Sequence, residues 1–323
     1  MIAEAISSVL GQTYRPIEII VVDDASTDET CEVVEEFIAR HPSVIRLIRM
    51  ISHGLGPGPV REQGRLVARG EYIQYLDSDD LLLPNKFEDQ VQLLQANPDC
   101  GVAYGYTRLI DEDRNVLEQP FKWTAKDIDT LFPSLLVDRW WCTHTPLYRR
   151  SVCDAVGPWS SLRWGQDWEY DGRVGATGAH LLNTHSYVSE HRTHSGLRQT
   201  SPAEQHTFER LMVEYHLYSS LVKNANAVGI AAGTPEMIHV SRLQFMVARH
   251  LGSLSHPVEA RMAWKLAMQA AGPRFITNWD LRAYGFAASV VGWRRIAILS
   301  RIRDLLFRGA GRRTMPFSWS KTA

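Results

Sequence analysis

Two acidic clusters carry most of the chemistry this chain can offer. Asp77 and Asp79 are separated by Ser78 alone. Two carboxylates one residue apart in a turn can share a divalent cation through hard oxygen ligands, and that cation would neutralise a diphosphate. Asp23 and Asp24 close an earlier apolar run, where a carboxylate can accept hydrogen bonds from a pyrimidine N–H or from ribose hydroxyls. Taken alone, either cluster is equally a strand-terminating turn, because Asp and Ser favour turns. With 35 basic and 36 acidic side chains and a formal net charge of −1, no global field argues for nucleic acid. The four cysteines, Cys31, Cys100, Cys142 and Cys153, lie at wide, irregular spacings without a C-x-x-C pair. That pattern argues against a zinc knuckle, a redox motif or a disulfide framework, and fits a reducing cytoplasm.

The elements that must position these acids alternate along the chain. Ile2, Ala5, Ile6, Val9 and Leu10 predict a helix stopped by Gly11. Residues 17–22 read as a buried, β-branched strand running into Asp23. Ser26 or Thr27 can cap the helix that follows through Val33, Val34, Phe37 and Ile38. A strand over 44–48, a Gly/Pro-rich loop over 54–59 and a helix ending at Gly70 come next. A strand over 72–76, a helix over 85–96 and a strand over 101–105 continue the series. Short connectors between alternating strands and helices predict an α/β fold, a parallel sheet covered by helices on both faces. Ligands of such sheets bind at the carboxyl ends of the strands, where both acidic clusters fall. From residue 201 long helical patterns take over, over 203–223, 235–252 and 257–271. The expected division is a catalytic domain over 1–200 and a helical region over 201–323.

Residues 7–14, reading Ser-Ser-Val-Leu-Gly-Gln-Thr-Tyr, and 17–28, from Ile17 through Asp23-Asp24-Ala25-Ser26-Thr27-Asp28, closely resemble family 2 glycosyltransferases. Ala68-Arg69-Gly70-Glu71-Tyr72-Ile73 running into Leu76-Asp77-Ser78-Asp79-Asp80 resembles the same family's D-x-D segment, in the expected order. The resemblance implies a GT-A fold, an α/β/α sandwich with a mainly parallel sheet, and non-processive, inverting transfer from a nucleotide-diphosphate sugar. It implies that Asp24 contacts the nucleobase, usually uracil, with Asp23 supporting the turn. Asp79 would hold Mg²⁺ or Mn²⁺, and Asp77 would face the ribose or donor sugar. Arg61 lies in a segment similar to the family's G-x-x-x-A-R-N-x-G, although Pro59, Val60 and Glu62 depart from it; Arg61 neutralises phosphate or forms a surface ion pair. Asp167 falls at the position of the family's general base, with Gln166 replacing the usual Glu. Losing that neighbouring charge should lower the Asp167 pKa. Glu169 is the reserve base, and a helix N-cap is the plainer role for Asp167. His194, or alternatively His191, is the expected third metal ligand. Trp140, Trp141 and Trp159 are available to stack on sugars or to pack the core.

The family's domain normally opens with an apolar strand before the helix seen at residue 2, and that strand is absent from this sequence. The expectation is an exposed sheet edge, lower stability and impaired activity. No basic n-region precedes the first helix and no apolar run of about 18 residues occurs, so neither a signal peptide nor a spanning helix is expected. Residues 285–313 interleave apolar side chains with arginines such as Arg294, Arg295 and Arg301. They read as a basic amphipathic tail that meets an anionic membrane or docks on its own domain. The expected location is the cytoplasm, at the inner face of the membrane. The expected partners are a nucleotide-sugar donor and a saccharide or lipid-linked acceptor, as in envelope polysaccharide synthesis. Processive synthases carry a Q-x-x-R-W motif, but Ser160 stands where its glutamine belongs before Arg163-Trp164. Nucleotidyltransferases need a lysine in their Gly-rich loop, and 54–64 has none. The alternative is a degenerate nucleotide-sugar-binding or scaffold protein without turnover.

Overall fold

Helix α1 (Ile2–Leu10) buries Ala5 and Ile6, and Ile6 joins Ile19, Val34, Phe37 and Ile45 in a local core. The computed structural model describes residues 1–51, 56–193 and 207–307. That local core unites β1 (Ile19–Asp23), α2 (Thr30–Arg40) and β2 (Ile45–Arg49), and β1 pairs with β2 in parallel from Ile19↔Ile45 to Asp23↔Arg49. Neither Ser26 nor Thr27 caps α2. The helix begins two residues later than expected, where Asp28 Oδ1 accepts the Thr30 N–H at 3.1 Å, and the Ser26 N–H is spent on Asp23.

A second sheet follows, built from β3 (Tyr72–Ile73), β4 (Leu81–Leu82), β5 (Cys100–Ile110), β6 (Val116–Phe121), β7 (Leu147–Arg149) and β8 (His180–Arg192). Its order is β3-β7-β5-β8-β4, with β6 paired to β5. The mainly parallel sheet expected from sequence is corrected here. Among the described residues only β1–β2 and β5–β8 are parallel; β3–β7, β5–β7, β5–β6 and β4–β8 are antiparallel. Antiparallel neighbours need no helical crossover, and β6 follows β5 by a short turn. Among the described residues β1 pairs with no strand but β2. β3 stops at Ile73, shorter than predicted, where Gln74 turns its side-chain amide onto the carbonyls of Tyr75 and His144.

The remaining helices of this part are α3 (Pro57–Val67), α4 (Lys86–Ala96), α5 (Arg150–Val156) and α6 (Gln166–Ala176). Beyond them lie α7 (Phe208–Ala227), α8 (Pro235–Ser253), α9 (Pro257–Ala271), α10 (Phe275–Val291) and α11 (Trp293–Phe307). Thr207 and Thr234 cap α7 and α8 through their side chains. Leu217 and Leu221 of α7 and Leu251 of α8 share one buried cluster with Val102, Leu135, Trp168 and Tyr170. The core is therefore continuous across residue 200.

The tail is not the single amphipathic helix expected over 285–313. Gly292, with φ of +99°, breaks it into α10 and α11, a backbone conformation glycine adopts freely. Trp293 and Ala297 of α11 are buried, and Ala297 packs beside Gly252 of α8. Residues 308–313 lie outside the described residues.

Candidate active site

Strand β1 delivers Asp23 and Asp24 to its carboxyl end. Asp23 is buried, and both its oxygens lie within reach of the Ser26 N–H, at 3.1 and 3.3 Å. It holds the turn, leaving Asp24 next to it half-buried. Asp77 and Asp79, also half-buried, stand in the turn between β3 and β4.

Arg61 links that turn to the rest of the site. It projects from α3 and donates from Nη2 to Asp77 Oδ1 at 2.5 Å, with 12% of its side chain exposed. Its guanidinium also lies over the Trp159 ring, 5.0 Å from the centroid. Gly58 sets this closeness: a Cβ there would come within 2.0 Å of the Ser160 carbonyl oxygen. Trp159 is itself stacked on Tyr170 at 4.0 Å. Trp159 and Trp141 are buried and serve the core, whereas Trp140 is half-buried and donates Nε1 to the Ser134 carbonyl.

Helix α6 begins after Gly165, whose φ of +67° turns the chain sharply. Asp167 then falls in its first turn, where Oδ1 accepts its neighbour Trp168 N–H at 2.8 Å and Oδ2 accepts Arg139 Nη1 at 2.7 Å. Its side chain keeps 28% exposure. Burial would raise its pKa, but the positive charges of Arg139, Arg61 and Lys122 overcome that and hold it below the ordinary carboxylate value. Arg139 is shared, since its Nε donates to Asp171 Oδ2 at 2.6 Å. Asp171 further accepts Trp141 Nε1 at 2.9 Å and the Tyr148 hydroxyl at 3.0 Å. Burial pushes the Asp171 pKa up, against the pull of Arg139 and Trp141. Glu169, the reserve base, is engaged elsewhere: Arg173 grips it at 2.9 Å and Ser220 of α7 donates to it at 3.0 Å.

The structure thus gathers Asp77, Arg61 and Asp167 within one electrostatic environment and sets Asp23 and Asp24 at a neighbouring strand end. Arg139 was invisible in the sequence, because its carboxylate partners lie 28 and 32 residues downstream. His194 lies outside the described residues. His191 turns its Nδ1 to Asp80 Oδ1, 2.9 Å away, beside a second histidine, His144, whose Nδ1 is 2.7 Å from Asp80 Oδ2. Asp80 is almost fully buried; burial alone would raise its pKa, yet the two histidines hold it far below the carboxylate range.

The chain is similar to known glycosyltransferases in sequence and in fold. The description "Glycosyl transferase family 2" matches residues 1–157. An uncharacterised glycosyltransferase of Nostoc sp. is 31% identical over 167 residues, covering 50% of this chain and 51% of its own. Chondroitin synthase of Escherichia coli is 32% identical over 135 residues, 42% of this chain and 19% of that one. The chain spans about half the length, or less, of the first curated relatives it matches. The fold is that of TarS residues 1–349 from S. aureus, solved alone and with UDP-GlcNAc. The unliganded structure superposes with a TM-score of 0.62 at 18% identity over 94% of this chain and 88% of that one. With its acidic strand ends and the match over residues 1–157, that part of the chain belongs to glycosyl transferase family 2, and the chain as a whole has a GT-A architecture.

Proposed function

We propose that this protein transfers a sugar from a nucleotide-diphosphate donor, UDP-linked, to a saccharide or lipid-linked acceptor with inversion, and that Asp167 is the general base. The observation that carries the reading is the convergence of two ion pairs, Asp77–Arg61 and Asp167–Arg139, with Arg61 close enough to bias Asp167. TarS has been solved with UDP and with UDP-GlcNAc, which makes uracil the first base to test here. Asp24 would receive the base N–H while Asp23 holds the turn. Asp77 would accept a ribose or sugar hydroxyl, and Arg61 would meet the diphosphate.

The turn's donor set suits Mg²⁺ or Mn²⁺, since it offers carboxylate oxygens one residue apart. Arg61 already occupies one oxygen of Asp77; Asp79 is the proposed direct ligand and His194 the proposed third. Once bound, the ion would supply counter-charge to the diphosphate.

Asp167 has the lone pairs for its task. Each carboxylate oxygen can accept two hydrogen bonds, so Arg139 and the Trp168 N–H leave acceptor capacity on the exposed side. A depressed pKa makes Asp167 a weak base. The acceptor proton therefore moves late, as the new C–O bond forms and the bond to the diphosphate breaks. Arg139 orients the carboxylate without touching the substrate.

Peripheral membrane contact is also part of the reading, with its location shifted. Ile276, Trp279, Phe286 and Val290 recur at helical spacing along α10 and are 83%, 57%, 73% and 70% exposed. Exposed Arg282, Arg294 and Arg295 flank them, a composition suited to an anionic lipid surface. No helix among the described residues is long and apolar enough to cross a membrane.

The test is donor turnover with Mn²⁺ in the wild type, Asp79→Ala and Asp167→Asn, with UDP binding by calorimetry. Loss of turnover in both variants supports the reading. Binding without turnover in the wild type, over a panel of acceptors, favours a nucleotide-sugar-binding role instead.

A further inference from the structure

Next to the Asp77–Asp79 turn, Cys142 and His144, two residues apart, meet His191 of β8. The Cys142 sulfur and one ring nitrogen from each of His144 and His191 lie within 4.8 Å of one another. Cys142 and His144 are buried ahead of β7, and His191 stands half-buried near the end of β8. Buried Asp80 contacts the Nδ1 atom of both rings, at 2.7 and 2.9 Å. A carboxylate placed on one nitrogen of a histidine orients the other towards a cation. His144 is 0% exposed, and neither of its ring nitrogens makes a hydrogen bond among the described residues, although Asp80 lies close to Nδ1.

The geometry points to a zinc site held by Cys142, His144 and His191, with Asp80 orienting both rings. The donor set of one thiolate and two imidazoles suits a borderline-soft cation, not the hard Mg²⁺ or Mn²⁺ assigned to Asp79. Charge balances as well. A Cys142 thiolate and the Asp80 carboxylate together neutralise the dication.

Zinc bonds of about 2.0–2.3 Å place tetrahedral ligand atoms roughly 3.3–3.8 Å apart, so the cluster closes by about 1 Å on binding. His191, with 28% of its side chain exposed, has the room to move. Water takes the fourth position on that side. The ion would tie the end of β8 and the Cys142–His144 segment to the residue after Asp79, bracing the turn that carries Asp77 and Asp79. None of this depends on sugar transfer.

The experiment is elemental analysis of the full chain, purified without chelator or immobilised metal. About one zinc per chain is expected, retained in Asp79→Ala and lost in Cys142→Ser and His144→Gln. Asp80→Asn should bind zinc about 10–100-fold more weakly. Replacing zinc with Co²⁺ in the wild type should give a thiolate-to-cobalt charge-transfer band, absent from Cys142→Ser. Background zinc together with no such band in the wild type overturns the site, even if the variants fail to fold. Copper in place of zinc, or full zinc occupancy in folded Cys142→Ser, overturns it equally.

Discussion

Asp167 can serve as a base only while it is charged and open on one side, and Arg139 governs the first condition. Arg139 sits between two carboxylates with 6% of its side chain exposed. Replacing it by Met leaves Asp167 and Asp171 facing each other without a counter-charge. Removing one partner of a buried pair costs about 3–5 kcal/mol. Arg139→Met should lower urea stability by that order, and adding Asp171→Asn should restore part of it. The pH profile should respond too. A depressed pKa keeps Asp167 ionised down to pH values below the ordinary carboxylate range, so the acid limb of kcat lies below about pH 4. Without Arg139 the Asp167 pKa rises and that limb moves to higher pH, read from initial rates across a pH series in whichever of the two variants folds. At this scale the acids were legible in the sequence, because carboxylates at strand ends follow a local pattern. Arg139, His144 and Cys142 were not, because each acquires meaning only from partners far along the chain.

Helices α1, α4, α8 and α9 fall within a residue or two of the apolar spacing that predicts them, since helical burial repeats locally. Strand pairing does not, and the mixed sheet shows why: β7 lies antiparallel to β5 through only Val102↔Tyr148 and Ala103↔Leu147, a choice that no local pattern announces. Two contacts between elements can be tested. Gly58→Ala must drive α3 away from the Ser160 carbonyl, because backbone cannot yield as a flexible side chain can. The expected cost is about 1–3 kcal/mol, together with weaker UDP binding as Arg61 shifts. Calorimetry on a folded sample measures both. Glu4 of α1 pairs with Arg192 at the end of β8 and, at 2.9 Å, with Arg114 between β5 and β6. These two arginines lower its pKa from 4.5 to about 2. A carboxylate depressed by folding stabilises the protein above its unfolded pKa and loses that contribution as pH falls from 4.5 towards 2. Glu4 is 42% exposed, so the term is at most about 1 kcal/mol. Glu4→Gln should therefore differ from the wild type in urea midpoint at pH 7 and converge with it near pH 2.

At the scale of the molecule, one large buried cluster spans the change of texture near residue 200. Leu217 and Leu221 of α7 pack against α6, the helix that carries Asp167, where Gly165 and Gly172 leave room. The sequence showed the shift from alternating strands to long helices but not that both parts share a core, since packing partners carry no local mark. The outer side of α10 carries an exposed apolar row that starts at Ile276, ahead of the 285–313 stretch read as amphipathic in the sequence. Trp279→Ser with Phe286→Ser should lower sedimentation with phosphatidylserine-containing vesicles several-fold and leave UDP binding intact; unchanged sedimentation would assign that face another role. The central claim concerns the site itself. Its most direct test is the rate of UDP release from a UDP-sugar, with acceptor present, compared between the wild type and Asp167→Asn at matched UDP affinity. We expect a loss of about 10²–10⁴-fold in kcat with Kd for UDP unchanged. Full turnover by Asp167→Asn, or failure of the wild type to bind UDP at all, would contradict it.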